Sequence, residues 1–218
     1  SMRWQSGDGA PWQEFARLTR RIVGAAPAQL VLTVPSRVAV GEAFDLHLRI
    51  EDCWGNPATL DAPVDVEIGA DAGDPATPLR WTIPLSGWLR RSLTLQRPGI
   101  RRLTARTVGS LALEAAGNPV EAVAQPPAVR QYWGDLHGQS LIGCGARSID
   151  AYYAHARDFS GTDFSSHQAN CFLVSGEEWE ETQASTQRHH DTGRFVSLLG
   201  VEWSAASPIG GDHNLYFP

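Results

Sequence analysis

One stretch of the chain places three polar side chains at alternate positions of a predicted strand. In Gln131–Ser140, which reads QYWGDLHGQS, an acid, a histidine and an amide occupy positions Asp135, His137 and Gln139. Side chains two residues apart share one face of an extended segment, so these groups point the same way at the end of the strand. An imidazole and a carboxylate brought together in this way can begin a metal or phosphate site.

Further side chains of the same kind follow in this part of the chain. His167 and Glu202 come at or just past the C-terminal ends of predicted strands, and Asp212, His213 and Asn214 follow the next turn. In α/β sheets and barrels, functional groups gather at that edge. We therefore expect these histidines, acids and amides to converge on one pocket. Nitrogen and oxygen ligands without thiolate suit Zn²⁺, Mn²⁺ or Fe²⁺.

The elements that position these residues alternate between strands and helices. A Ser-x-x-Glu capping box at Ser175 predicts the start of one helix, and Ser148 can cap another. Alternating strands and helices favour parallel pairing in an α/β sheet or barrel. The predicted strands are 129–137, 163–167, 195–203 and 213–217, and the predicted helices are 148–159 and 175–189.

The chain before residue 125 has a different pattern. Short β-like runs broken by Gly, Pro, Asn and Asp predict an antiparallel, immunoglobulin-like sandwich over residues 28–124. Along Ala43–Glu51 the apolar residues alternate with polar ones, which predicts that His47 lies on the wet face. The other predicted strands are 29–34, 64–68, 79–83, 90–95, 101–107 and 110–115.

Two further segments complete the predicted organisation. The spacing of apolar residues over Gly9–Gly24 predicts an amphipathic helix, so residues 1–27 are interpreted as an N-terminal helical segment. Consecutive prolines at Pro126 and Pro127 predict an extended linker over residues 125–130. Residues 131–218 then form the part that carries the chemistry.

Composition excludes several classes of partner. The 218 residues are 42% hydrophobic and 19% charged, with a net charge of −6 and no apolar run long enough to cross a bilayer. This charge gives no basic footprint, so neither nucleic acid nor a membrane is an expected partner. Three cysteines without CxxC spacing argue against a disulfide scaffold and a thiolate zinc site.

Five ordered runs between Tyr132 and Phe217 resemble a known family. They read YWGDLHGQS, DFSSHQANCF, EEWEE, GRFVSLLGVEWS and GGDHNLYF. Together they resemble a little-characterised family related to the polymerase-and-histidinol-phosphatase (PHP) metallohydrolases, in which such a sandwich commonly precedes the catalytic domain. The resemblance implies a distorted (β/α)₇ barrel with a di- or trinuclear metal site.

The resemblance also implies roles for individual residues. His137, His167, Glu202 and His213 match metal ligands, and the first three are the expected catalytic centre. Gln139 stands where the family has histidine and is expected to orient water or substrate. The remaining residues expected to bind substrate or support the ligands are Asp135, Asn170, Asp212 and Asn214.

The function that follows is metal-dependent hydrolysis of a small-molecule substrate. A bound Zn, Mn or Fe ion lowers the pKa of a coordinated water and supplies hydroxide. The expected substrate is a phosphoester, although amide and sulfate esters need the same nucleophile. The alternative is a non-catalytic ligand- or partner-binding protein with a degenerate metallohydrolase domain. A full barrel needs more residues than follow the linker, so the chain is expected to hold the barrel's N-terminal portion, with the remainder a possible separate chain.

Overall fold

The computed structural model describes residues 2–4, 13–16, 23–71, 78–205 and 210–217. Fourteen strands and two α-helices cover most of these residues. The strands are β1 (Met2–Trp4), β2 (Gln13–Ala16), β3 (Gln29–Thr33), β4 (Arg37–Ala39), β5 (Ala43–Glu51), β6 (Val64–Ala70), β7 (Leu79–Ile83), β8 (Trp88–Thr94), β9 (Gly99–Thr107), β10 (Glu114–Val123), β11 (Gly134–Gly138), β12 (Phe164–His167), β13 (Val196–Ser204) and β14 (Asp212–Phe217). The helices are α1 (Ile149–Ala154) and α2 (Gly176–His189).

The N-terminal segment differs from the predicted helix where the structure describes it. Gln13–Ala16 form β2, which pairs antiparallel with β1. The rest of the predicted helix up to residue 22 lies outside the described residues.

A β-sandwich follows, as the sequence predicts. One sheet has the order β3-β5-β8 and the other has the order β4-β10-β9-β6-β7. All pairs are antiparallel except β4 with β10. The two inner faces enclose one apolar core, in which Leu46, Leu48, Ile50, Ile68 and Leu103 are fully buried. Burial of these side chains is the main contribution that holds the two sheets together.

The last strand of the sandwich contains turn-forming residues, so the sequence pattern does not predict its position. The predicted strand 110–115 is largely wrong, because β10 runs from Glu114 to Val123 and contains Gly117, Asn118 and Pro119. The pairing with β9 shifts register between Ala116 and Pro119, so a bulge accommodates the proline, which has no N–H to donate. Asn118 also bonds to the backbone of Val34, which ties the bulge to the other sheet.

His47 lies at the junction between the sandwich and the C-terminal region. The prediction of a wet face is wrong at this position, since only 4% of the residue is exposed. Its Nε2–H donates to the carbonyl of Asp158 at 2.6 Å, and its ring stacks on Trp88. Burial lowers the pKa of His47, so the ring is neutral at pH 7. A segment more than a hundred residues further along the chain, at Asp158, therefore covers the strand position that was predicted to face solvent.

Gly161 gives a test of this junction. Its φ is 69°, and a Cβ there would lie 2.9 Å from Cγ of His47. Gly41 has a similar φ of 78° with no atom within 4 Å of its Cβ position, so Gly41→Ala measures the backbone cost alone. We expect Gly41→Ala to lower the free energy of unfolding by about 1–2 kcal/mol, and Gly161→Ala to lower it by about 1 kcal/mol more. Equal losses in urea unfolding would contradict the contact with His47.

The C-terminal region contains a four-stranded sheet with the order β11-β12-β13-β14. The first three strands are parallel, and α1 and α2 follow β11 and β12 in the sequence as crossover helices. The predicted capping box is confirmed at Ser175 and Glu178. A π-helical turn (His155–Ser160) continues α1, and a 3₁₀ turn (Cys171–Leu173) precedes α2. Among the described residues, no helix is long and apolar enough to cross a membrane.

The predicted barrel finds no support in this sheet. Its order follows the sequence, and β11 and β14 are its two edges. The pairing of β13 with β14 is antiparallel, unlike the parallel pairing predicted for this region. The reason is the short connection that contains Gly210 and Gly211, since a parallel crossover needs about a dozen residues or more. The coarser prediction, a β-sandwich followed by an α/β part, describes the fold.

Candidate functional site

The small sheet is curved enough for its two edges to meet through their side chains. Nδ1 of His137 on β11 lies 3.0 Å from Oδ1 of Asn214 on β14, and the Tyr216 hydroxyl donates to the carbonyl of Leu136 at 2.9 Å. Two strands separate these edges, and in a flat sheet they would lie about 14 Å apart. The contacts therefore define a concave face, on which the polar side chains converge.

Gln139 is the centre of the polar cluster on this face. Its Oε1 accepts the backbone N–H of Cys144 at 2.7 Å, and because that group can only donate, the orientation of the amide is determined. Nε2 then donates to Oε2 of Glu202 at 3.1 Å and to Oδ1 of Asn170 at 3.2 Å. The amide thus joins residues from three separate segments. We name His137, Gln139, Asn170, Glu202 and Asn214 the concave cluster.

Glu202 is the buried acid of the concave cluster. Only 8% of the residue is exposed, and its backbone N–H donates to the carbonyl of Ala169. The same extension of pairing beyond β12 places Asn170 opposite Glu202. His137 Nε2 lies 3.5 Å from Oε2 of Glu202, which is long for a hydrogen bond. Among the residues that the structure describes, the carboxylate therefore has one firm partner, the Gln139 amide.

His167 lies away from the concave cluster. It is fully buried, and its Nε2 accepts the N–H of Ser140 at 3.1 Å and lies 2.9 Å from the Ser140 hydroxyl. In the neutral ring the proton is then on Nδ1, which has no partner among the described residues. Burial lowers the pKa of His167 to about 4. The side chain packs in the core beneath α1, where its ring contacts the ring of Tyr152.

The other predicted site residues occupy separate positions. His213 is exposed on the opposite face of β14 from Asn214, where its Nε2 donates to the carbonyl of Gly210. Asp135 accepts the backbone N–H of His137 at 2.9 Å, so it holds the strand end. Asp212 is exposed at the start of β14, opposite Ser204.

Two contributors to the cluster were missed at the sequence level. The Cys144 backbone orients Gln139, and Tyr216 spans the concave face. The glycine-rich turn is the signal for the first, because a side chain at Gly143 would come within 2.8 Å of Gln139 Oε1. For Tyr216, the alternation with Asn214 along β14 is the only available signal.

The predicted donor set of a divalent ion is not assembled. Of the four predicted ligands, only His137 and Glu202 face each other, while His167 and His213 point elsewhere. Within the described ranges, no group of three or more His, Cys, Asp and Glu side chains could hold a metal ion. The Gln139 amide nitrogen already occupies the position between the two acceptor oxygens that a cation would need. These residues therefore do not fit the predicted metal.

Comparisons with known proteins found partial matches among solved structures. No family model and no curated protein matches the chain. Among solved structures, the D00–D0 fragment of intimin matches with 19% identity and a TM-score of 0.34, covering 45% of this chain and 49% of that one. The chain spans about half the length of the intimin fragments it matches. The PKD domain of the human receptor SorCS2 matches with 14% identity and a TM-score of 0.33, covering 59% and 99% of the two chains.

A third match is a cohesin module of a family 33 glycoside hydrolase from Clostridium perfringens, with 15% identity, a TM-score of 0.33 and coverage of 44% and 97%. No PHP protein is among the matched structures. The predicted relationship to PHP metallohydrolases is therefore wrong, and so is the prediction of a metal-dependent phosphoester hydrolase. In agreement with this result, the structure does not bring the predicted metal ligands together in one site. The fold that the chain carries is a β-sandwich followed by a small curved sheet.

Proposed function

We propose that this chain is a non-catalytic binding protein and that its concave cluster holds a small polyhydroxylated ligand. The observation that carries the proposal is the buried carboxylate of Glu202, which is held in place by Gln139 and has an oxygen available. Oε1 of Glu202 has no hydrogen-bond partner among the described residues. A carboxylate placed in this way accepts hydrogen bonds from a ligand at a defined position.

The hydrogen-bonding capacity of the cluster favours hydroxyl groups. Asn170 and Asn214 use their carbonyl oxygens within the cluster, which leaves their NH₂ groups as donors. Nδ1 of His137 bonds to the Asn214 carbonyl oxygen, and Nε2 of the same ring faces Oε2 of Glu202. A hydroxyl can donate and accept at once, so a ligand with neighbouring hydroxyls matches these alternating groups.

The Tyr216 ring adds an apolar surface beside the polar groups. It lies on the same face of β14 as Asn214 and is 42% exposed. Gly200, its partner on β13, has no side chain, and the amide of Gln168 lies over it. An aromatic ring of this kind can pack against the C–H face of a sugar while its hydroxyl stays bonded. A monosaccharide or cyclic polyol therefore fits the site better than a charged ligand.

The cluster lacks the arrangement that nucleophilic catalysis requires. The Cys144 thiol lies 3.7 Å from the Asn170 oxygen rather than beside a histidine, so nothing described here activates it. This arrangement accords with binding rather than with catalysis by a thiol nucleophile.

The test is a titration of the ¹⁵N-labelled full chain with D-glucose, D-galactose, N-acetylglucosamine and myo-inositol. We expect millimolar binding, with amide shifts centred on the concave cluster. Asn214→Ala should weaken it about tenfold through loss of one hydrogen-bonding amide. Gln183→Ala on the exposed side of α2 is the matched control. Absence of shifts with all four compounds, or stoichiometric binding of ZnCl₂ or MnCl₂ at His137 instead, would overturn the proposal.

A further inference from the structure

The convex face of the small sheet carries an apolar cleft beside α2. The cleft has a volume of about 260 Å³ and is lined mainly by Cys171, Val174, Trp179, Val201 and Phe217. The rings of Trp179 and Phe217 meet edge to face at 5.7 Å, so helix and strand form its two walls. This cleft lies on the opposite face of the sheet from the concave cluster, because Val201 and Phe217 alternate with Glu202 and Tyr216.

The apolar surface continues outward from the cleft over β14. α2 packs on the face of β13 that Ser197 begins, where the Ser197 hydroxyl donates to the carbonyl of Thr186. The helix does not extend over β14, and Leu215 and Phe217 remain 43% and 40% exposed. Phe172, next to Cys171, is 70% exposed. A sheet face of this composition is normally buried under a helix layer, and nothing in the described part of the chain supplies it.

The rim of the cleft is acidic. α2 begins with Glu177, Glu178, Glu180 and Glu181. Glu178 is bound in the capping box and Glu181 pairs with Arg188, whereas Glu177 and Glu180 have no ion-pair partner among the described residues. Glu180 follows Gly176 by one helical turn, which places it on the cleft side of the helix. A partner that covers the cleft would therefore meet the carboxylate of Glu180 at its rim.

We propose that this cleft docks a basic amphipathic helix of a partner protein. The apolar side of such a helix would extend the helix layer over β14, and its lysines or arginines would face Glu180. A second copy of this chain is disfavoured as occupant, because it would bring two acidic rims together in a protein whose net charge is −6. The inference is independent of the polyol site on the other face.

The probe is a fluorescein-labelled helical peptide of about 18 residues with a leucine stripe and a lysine face, titrated by anisotropy against the full chain. The same peptide with glutamate in place of lysine is the charge control. We expect the basic peptide to bind and the acidic peptide to bind at least about tenfold more weakly. Glu180→Gln should reduce the salt dependence of binding, whereas Glu177→Gln, about 160° around the helix from Trp179, should leave it unchanged.

Variants of the apolar surface locate the contact. Phe172→Ser and Leu215→Ser are each expected to weaken binding of the basic peptide at least about tenfold. Leu85→Ser removes an apolar side chain of similar exposure from the sandwich and should leave binding unchanged. Circular dichroism of each variant establishes that it remains folded.

Three results would overturn the inference. The first is equal binding of the basic and acidic peptides, and the second is an equal loss of binding in Leu85→Ser. The third is sedimentation of the wild-type chain as a dimer that Phe172→Ser converts to a monomer, since a second copy would then be the occupant.

Discussion

Replacing Phe195 by alanine is expected to lower the free energy of unfolding of the C-terminal region by about 3–5 kcal/mol. Phe195 is fully buried and belongs to a small core cluster with Ile149, Tyr153 and Ala156. A core of four buried residues has few neighbours that can move into the cavity, so the loss should fall in the upper part of this range. The backbone is also constrained there, because Phe195 and Asp191 exchange two hydrogen bonds.

The adjacent residue supplies the matched control. Val196 begins β13 on the other face and is 39% exposed, so Val196→Ala removes apolar atoms without opening the core. We expect its effect to stay within about 0.5 kcal/mol. Urea unfolding monitored by hydrogen exchange on β12 and β13 separates this region from the sandwich. A loss below about 1 kcal/mol for Phe195→Ala would contradict the assignment of this cluster as the core of the region.

Lowering the pH from 7 to 4 is expected to cost about 3 kcal/mol of folding stability through His167 alone. In the unfolded chain a histidine takes up its proton near pH 6.5, whereas burial lowers the pKa of folded His167 to about 4. Between these values the unfolded state binds more protons, so the free energy of unfolding falls as the pH falls. Burial also lowers the pKa values of His47 and His155, which act in the same direction.

His167→Gln isolates the contribution of this residue. Glutamine can still accept the Ser140 N–H but does not titrate, so the slope of stability against pH between 6.5 and 4 should decrease by about one proton. His213→Gln, at an exposed position, controls for the loss of a histidine as such. Urea unfolding at a series of pH values measures both slopes. An unchanged slope in His167→Gln would show that this ring is already charged in the folded protein.

Local patterns determined most of the secondary structure. The alternation of Phe44, Leu46, Leu48 and Ile50 predicts β5 with its observed bounds, because a period of two allows only one face to enter the core. The capping box at Ser175 likewise predicts the start of α2, since its hydrogen bonds link residues only three positions apart. Where local signals conflict with tertiary pairing, as at Pro119 in β10, the sequence misleads.

The concave cluster was only partly predictable. The positions of His137, Gln139 and Glu202 at strand ends follow from the order of the elements, so their convergence could be expected. The face of the sheet on which His167 lies could not be predicted, because it depends on whether the ring packs against α1 or lies on the open face. The same holds for His47, whose burial depends on contact with residues 158–161.

The sequence by itself therefore determined the sandwich, the strand–helix alternation and the set of residues able to form a site. Only the tertiary structure decided which of them meet, because the curvature of the small sheet brings Asn214 and Tyr216 to β11. It also decided the partners of Gln139, whose amide lies between Glu202 and Asn170. Periodicity acts over neighbouring residues, whereas curvature and side-chain convergence depend on packing between segments distant in the chain.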